Sequence, residues 1–196
     1  MTALSDKVLV GRVQRIKCQS SFNTLVLRHQ SQLRYSLRQM TGWNESLADD
    51  LAQETFIKAY LSIATYKGTA KFSSWLYRIA YNLMTSHFRL KKNKEVSGLE
   101  NIEISMRSAD SASHSIDLHR DLARAMSVLP IKQRMALHLS LHRDLTQNEI
   151  SIIMELPLGT VKTVINRGKL ALRESLDDWN TNCLLYTSDA ADEVVS

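Results

Sequence analysis

Residues 145–176 read LTQNEISIIMELPLGTVKTVINRGKLALRESL, and the punctuation of this stretch decides the fold. Thr146 followed three residues later by Glu149 is a capping box. Hydroxyl and carboxylate each satisfy a backbone N–H of the first turn, so a helix starts there and runs to about Glu155. Leu156-Pro157-Leu158-Gly159 reads as a tight turn, and Thr160 caps a further helix. On that second helix Lys162, Thr163, Asn166, Arg167 and Lys169 fall on the outward side. Val161, Ile165 and Leu172 fall on the side that holds it down. Two short helices joined by a turn, the second polar and basic outward, make a helix-turn-helix. Entry of the second helix into a major groove would put Lys162, Thr163 and Asn166 nearest the bases. Arg167 and Lys169 would lie nearer phosphate. A helical hairpin with solvated charges is the plainer alternative.

The lobe that carries this motif is expected to span residues 117–179. Leu118, Leu122, Ala125, Met126 and Leu129 step at helical spacing until Pro130, and Ile131 to His142 forms another helix with Met135, Ala136 and Leu139 inward. Upstream, residues 92–116 are polar, Ser-rich from Ser105 onward and without sustained periodicity, which predicts a flexible linker. Downstream, residues 180–196 lose the pattern and reverse the charge sign, so this segment is expected to be a disordered or non-native tail.

A second lobe is expected over residues 21–91. Phe22, Leu25, Val26, Leu33, Leu37 and Met40 share one helix face, closed off by Thr41-Gly42. A following helix, Leu47 to about Thr65, places Leu51, Ala52, Phe56, Ala59, Tyr60 and Ile63 inward. It gathers Asp50, Gln53 and Glu54 on another face. Without a histidine at a useful spacing, that acidic face is not a metal or acid–base site. It is either solvated or a docking face for a basic partner.

Then comes Lys67–Arg89, KGTAKFSSWLYRIAYNLMTSHFR. A helix is predicted from Ser73 or Ser74, with Leu76, Ile79, Ala80, Leu83, Met84 and Phe88 as its apolar stripe. Tyr77, Arg78, Tyr81, Asn82, Thr85 and Arg89 lie largely off the stripe. No Asp or Glu occurs from Leu61 to Lys94, whereas Lys67, Lys71, Arg78, Arg89, Lys91, Lys92 and Lys94 are basic. Basic residues with Trp75, Tyr77 and Tyr81 interleaved suit phosphates and unstacked bases, each stacked base contributing about 1–3 kcal/mol. An ordinary amphipathic helix with core aromatics is the competing reading. Residues 1–20 carry little pattern and are expected to be a flexible lead-in.

The whole is therefore expected to be all-α: two small helical domains joined by a flexible linker, the second a helix-turn-helix. Composition agrees, with 196 residues, 44% hydrophobic, 23% charged and a net charge of +5, which allows a nucleic-acid partner without demanding one. Cys18 and Cys183 lie far apart without ligand spacing, against structural zinc or a disulfide scaffold and in favour of a reducing cytosol. No apolar run approaches a membrane span and no signal-peptide segment is apparent, so a cytoplasmic protein without membrane insertion is expected. Neither a Ser/His/Asp order, a phosphate loop nor a ligand cluster is present in the sequence. No catalytic residue, metal or cofactor is expected, and an enzyme such as a carboxylate-dependent nuclease has little support.

Two blocks in this order resemble a known family. DDLAQETFIKAY followed by YKGTAKFSSWLYRIAYNL resembles the second conserved region of bacterial extracytoplasmic-function (ECF) sigma factors. LPIKQRMALHLSL followed by LTQNEISIIMELPLGTVKTVINRGKLALR resembles their fourth region. With the first helix, the likeness covers roughly Ser21 to Leu176, the linker excepted. It implies a transcription-initiation factor that binds core RNA polymerase and directs it to promoter DNA, double- and single-stranded. By that resemblance Asp50, Gln53 and Glu54 dock on the clamp coiled coil of the largest polymerase subunit. Lys71, Phe72, Ser74, Arg78, Asn82 and Ser86 recognise and open the minus-ten element. Lys162, Thr163, Asn166, Arg167 and Lys169 read the minus-thirty-five element. An anti-sigma protein is a further partner that the family commonly has. Three positions depart from the family pattern. Val164 stands where arginine is frequent, which implies a missing DNA contact. Ser86 stands where many members have Asp, and Gly168 inside the recognition helix is expected to loosen its end at about 1 kcal/mol. A stand-alone helix-turn-helix regulator is the alternative, but it leaves both the acidic face and the acid-free aromatic segment without a role.

Overall fold

The computed structural model describes residues 4–96, 125–143 and 145–189. Among these residues the fold is all-α, with α1 (Asp6–Ile16), α2 (Gln19–Met40), α3 (Glu45–Ser62) and a 3-10 turn (Ile63–Thr65) leading to α4 (Phe72–Val96). The second lobe comprises helical residues 125–127, α5 (Ile131–Leu141), α6 (Gln147–Met154) and α7 (Leu158–Asp189). Most of the expected linker lies outside the described residues, as do Leu118 and Leu122.

The first lobe is built on α2, against which α1 and α3 pack, with α4 closing on α3. Phe22, Leu25, Leu33, Leu37 and Met40 are buried along the predicted face of α2. Burial of each such side chain contributes about 1.5–3 kcal/mol. The helix ends in a Schellman arrangement, in which the Trp43 N–H donates to the Arg38 carbonyl at 2.7 Å across Gly42 at φ +66°. Asn44 then caps α3, its Oδ1 accepting the Leu47 N–H at 3.0 Å. These two devices reverse the chain in four residues and set α3 antiparallel to α2.

Three expectations for this lobe are corrected. The supposed lead-in contains α1, whose Leu9, Val10 and Val13 are buried. Gln14 Nε2 donates to the carbonyls of Ile63 and Tyr66 at 2.8 and 2.9 Å, while Asp6 pairs with Arg28 and His29. Tyr60, expected inward, is exposed and meets Phe22 edge to face at 4.9 Å. Helix α4 starts at Phe72, earlier than predicted, and Tyr77 and Tyr81 are 4% and 5% exposed although they lie off its apolar stripe.

In the second lobe α5 is central. Six consecutive residues, Arg134 to Leu139, are buried, more than one full turn, so the helix is enclosed on every side. Its faces divide the work. Leu137 meets α7 beneath Gly168, and His138 reaches Gln39 of α2. The capping box of α6 is formed as expected, with Glu149 N–H to Thr146 Oγ1 at 3.3 Å and Thr146 N–H to Glu149 Oε2 at 2.9 Å. Helix α7 begins at Leu158, two residues before the expected cap at Thr160, and its backbone stays helical past Trp179 to Asp189, where the pattern was expected to stop.

The two lobes share one continuous core. Helix α5 packs on α2, and α6 lies on α4. Arg134 is the bolt of this seam. Its buried guanidinium donates to the carbonyl of Met40 at 2.6 Å, at the end of α2, and to those of Ser127 and Leu129 in its own lobe.

Candidate nucleic-acid interface

The turn between α6 and α7 is clamped from both sides, with the Leu156 N–H donating to the Ser151 carbonyl at 3.2 Å and the Ser151 hydroxyl to the Leu156 carbonyl at 2.6 Å. This fixes how α7 leaves α6. Val161, Ile165 and Gly168 face inward and are buried, and by rotation Lys162, Thr163, Asn166, Arg167 and Lys169 are all exposed. Thr163 donates its hydroxyl to the Gly159 carbonyl at 3.0 Å, which leaves its oxygen as an acceptor outward. Val164 is half-buried against the core, so the residue that stands in place of a frequent arginine packs inward. Gly168 also has a packing reason. A Cβ there would lie 3.0 Å from Leu137 Cδ1, so the glycine permits the close approach of α7 to α5.

On the first lobe, Gly68 at φ +72° and the Tyr66 hydroxyl, donating to the Ala70 carbonyl at 2.5 Å, shape the loop that enters α4. Of the six residues expected on the minus-ten side, Lys71, Arg78, Asn82 and Ser86 are exposed. The other two are not at the surface. Phe72 is 2% exposed, with its ring among those of His29, Tyr66 and Trp75 at 5.4–5.9 Å, and it anchors the loop from within. Ser74 is 3% exposed and sits beside Glu149 and Ile152 in a cleft of about 240 Å³ under α6.

The second lobe supplies that cover. Lys71 Nζ lies 3.6 Å from Glu149 and Arg78 Nε 2.8 Å from Glu155, so the carboxylates at the two ends of α6 pair with two expected phosphate-binding cations. Tyr77 donates to or accepts from Ser36 Oγ at 2.9 Å, with the Arg143 guanidinium 5.5 Å above its ring. Burial pushes the pKa of Tyr77 above the ordinary phenol value. Burial, and then the nearby Glu155 charge, do the same for Tyr81. His138 is the most perturbed group of the seam. Burial, His142 and Arg143 lower its pKa from 6.5 to about 3, while Nδ1 lies 3.0 Å from Gln39 Oε1. Sequence periodicity misses Glu149, Glu155, Arg143 and His138 as partners of the first lobe. Glu149 is legible only as a capping residue, and the others carry no local signal.

The acidic face is formed as expected: Asp50, Gln53 and Glu54 are exposed on α3, with Glu54 3.1 Å from Lys58. Beside it runs a groove of about 390 Å³ between α2 and α3, lined by Phe22, Val26, Phe56, Ile57, Tyr60 and Leu61 together with Gln30, Arg34 and Gln53. Among the described residues, no group of His, Cys, Asp or Glu is placed to hold a metal, and no helix is long and apolar enough to cross a membrane.

Comparison with known proteins follows this division. The model of Sigma-70 region 2 matches residues 25–94 and that of Sigma-70 region 4 matches residues 125–174. The chain is 36% identical over 186 residues to the ECF RNA polymerase sigma factor SigW of Bacillus subtilis, covering 88% of this chain and 99% of the relative. It is 32% identical over 180 residues to the ECF RNA polymerase sigma-E factor of Escherichia coli K12, covering 86% and 93%. Among solved structures, CnrH in complex with the cytosolic domain of CnrY aligns with a TM-score of 0.67 at 25% identity over 88% of this chain and 97% of that one. The sigma factor RpoE of Bartonella quintana, in complex with the anti-sigma factor NepR, has the same fold, with a TM-score of 0.66 at 22% identity over 80% and 96%.

Proposed function

The chain belongs to the ECF RNA polymerase sigma factors and directs the polymerase to promoters, and from that premise we propose how its surfaces share the task. The outward face of α7 reads the minus-thirty-five element as duplex, through Lys162, Thr163 and Asn166 toward the bases and Arg167 and Lys169 toward phosphate. The loop and exposed face of α4 take the minus-ten element, with Lys71 and Arg78 on the phosphates and Asn82 and Ser86 toward a displaced strand. Phe72 and Ser74 act there by shaping the loop. Opening a few base pairs without ATP requires contacts to the single strand that offset unpairing, a few kcal/mol per flipped base. Asp50, Gln53 and Glu54 dock on the clamp coiled coil of core polymerase.

The observation that carries this reading is the rotation of α7, which buries Val161, Ile165 and Gly168 and leaves five polar or basic residues exposed. A stand-alone regulator is not favoured, because the first lobe matches Sigma-70 region 2 and not a sensor or dimerisation domain. In this reading the chain performs no catalytic step and works in the cytoplasm, beside the polymerase and the promoter. An anti-sigma protein is the remaining proposed partner, supported by the likeness to CnrH, which is held by the cytosolic domain of CnrY. The deciding experiment is run-off transcription from a genomic library with purified core polymerase. Wild type should start defined transcripts, and Glu54→Lys should lose both transcription and co-purification with core. Core binding by that variant equal to wild type would remove the docking assignment.

A further inference from the structure

Resting on the assignment of the loop before α4 to the minus-ten element, we propose that Gln14 of α1 is a positioning residue for base reading there. It ties down the root of the loop, and its loss relaxes discrimination at the minus-ten element while leaving duplex reading by α7 intact. Helix α1 lies outside the segment that matches Sigma-70 region 2, which begins at residue 25. It packs on α2 and on the 3-10 turn, with Leu9, Val10 and Val13 buried. The next residue, Gln14, is thereby brought to the end of that turn. There the chain leaves helical structure, and the last carbonyls of a helix have no donor of their own. Gln14 Nε2 donates to two of them, Ile63 at 2.8 Å and Tyr66 at 2.9 Å, which matches the two N–H groups of a side-chain amide. A residue of α1 thus serves as the C-terminal cap of the turn that enters the minus-ten loop.

Tyr66 carries this anchorage across the loop. Its carbonyl is held by Gln14, and its hydroxyl donates to the Ala70 carbonyl at 2.5 Å, so one residue joins the entry of the loop to its exit. Burial, and then the Asp6 carboxylate, push the Tyr66 pKa above the ordinary phenol value, so the hydroxyl keeps the proton that it donates. The same ring lies 5.9 Å from Phe72 and 5.3 Å from Trp75, at the start of α4. The other end of α1 braces this cluster as well. Asp6 accepts from Arg28 and lies 2.8 Å from His29 Nε2, and the His29 ring is 5.4 Å from Phe72. Both ends of α1 therefore reach the roots of the loop. Between them stands the exposed tip, Lys67 to Thr69, with Gly68 in the left-handed region. A tip that rearranges accepts several bases about equally, and selective reading needs its groups held to within about 0.5 Å.

Two measurements on the full chain test this. Gln14 is itself exposed, so Gln14→Ala should fold as wild type. In the first measurement the free chain is treated with trypsin, and cleavage is followed by mass spectrometry. Gln14→Ala should speed cleavage after Lys67 and Lys71 about three- to tenfold, the fold-change of a pair of partly exposed hydrogen bonds, with cleavage after Lys132 in α5 unchanged. Gln14→Lys, which keeps a donor at comparable reach, should restore the wild-type rate. Equal cleavage of wild type and Gln14→Ala would show that Gln14 does not hold the loop. In the second, holoenzyme assembled from core polymerase and each variant transcribes a template pool. The pool is built on one promoter recovered from the genomic run-off, with the minus-ten and minus-thirty-five elements randomised, and the transcribed templates are sequenced. Gln14→Ala should flatten base preference in the minus-ten element about three- to tenfold, leave the minus-thirty-five preference as in wild type, and be rescued by Gln14→Lys. A loss shared equally by both elements would mean general destabilisation and would overturn the positioning role. So would wild-type preferences in Gln14→Ala when Lys71→Ala with Asn82→Ala flattens the minus-ten element, a result that leaves the minus-ten assignment standing. If that last pair also keeps wild-type preferences, the minus-ten assignment itself fails, and the role of Gln14 falls with it.

Discussion

Gly168 offers a substitution whose sign depends on packing alone. In an isolated helix, alanine in place of glycine stabilises by about 0.8–1.0 kcal/mol, because glycine loses more backbone freedom on folding. At Gly168 the added Cβ would lie 3.0 and 3.1 Å from Leu137 Cδ1 and Cγ and 3.3 Å from Gln133 Cβ. Ordinary carbon contacts fall at about 3.5–4.0 Å, so all three are short by up to half an ångström. Leu137 is fully buried within a helix enclosed on every side, and it has no solvent to retreat into. Overpacking of such a site costs about 1–3 kcal/mol, which leaves Gly168→Ala destabilising by about 1 kcal/mol after the helix gain is subtracted. Gly11, inside α1, is the internal standard, because a Cβ there meets nothing within 4 Å. Gly11→Ala should stabilise by about 1 kcal/mol. Equilibrium urea unfolding followed by far-UV circular dichroism measures both, with the denaturant slope unchanged if the unfolded state is unaltered. Equal stabilisation by the two substitutions would refute the view that glycine sets the spacing of α5 and α7.

Three further outcomes are expected. Because burial depresses the pKa of His138 from 6.5 to about 3, the unfolded or separated chain binds the extra proton in between. Stability is then full above pH 6.5 and lost as the pH falls toward 3, by about 2 kcal/mol between pH 7 and pH 5. His138→Gln should flatten that slope in urea titrations at the two pH values. Arg134→Met should destabilise by about 2–4 kcal/mol, since three carbonyls lose a charged donor, and Arg134→Lys should recover part of it; thermal unfolding of the pair of variants measures this. Thr146→Ala should cost about 1 kcal/mol in urea unfolding through loss of the α6 cap.

Much of this molecule can be read from periodicity. Helices α2, α3 and α7 each carry a stripe that the fold buries for the most part, Tyr60 of α3 excepted, and the capping box of α6 and the chain reversal at Gly42 are local devices with local signatures. The failures have a common physical origin. Tyr77 and Tyr81 lie off the stripe of α4 yet are buried, and their surroundings come from distant elements: Tyr77 meets Ser36 of α2 with Arg143 over its ring, and Glu155 lies close enough to Tyr81 to raise its pKa. Lys71 and Glu149 are distant in sequence, and no spacing rule pairs them. Helix α1 was hidden because three buried residues in eleven make too short a pattern to count. Gly168 looked like a weak point since propensity is a property of one helix, whereas its reason lies in the next one.

The grip of Arg134 on Met40 carries a last consequence. What it holds across the seam is a main-chain oxygen, and every residue that could stand at position 40 presents the same one. Drift in the side chains of α2 can therefore leave this clasp intact. Its strength is adjustable from one partner only, through the arginine and the helix that carries it, whereas the side-chain contacts of His138 with Gln39 and of Arg143 with Gln32 can be altered from either half of the chain.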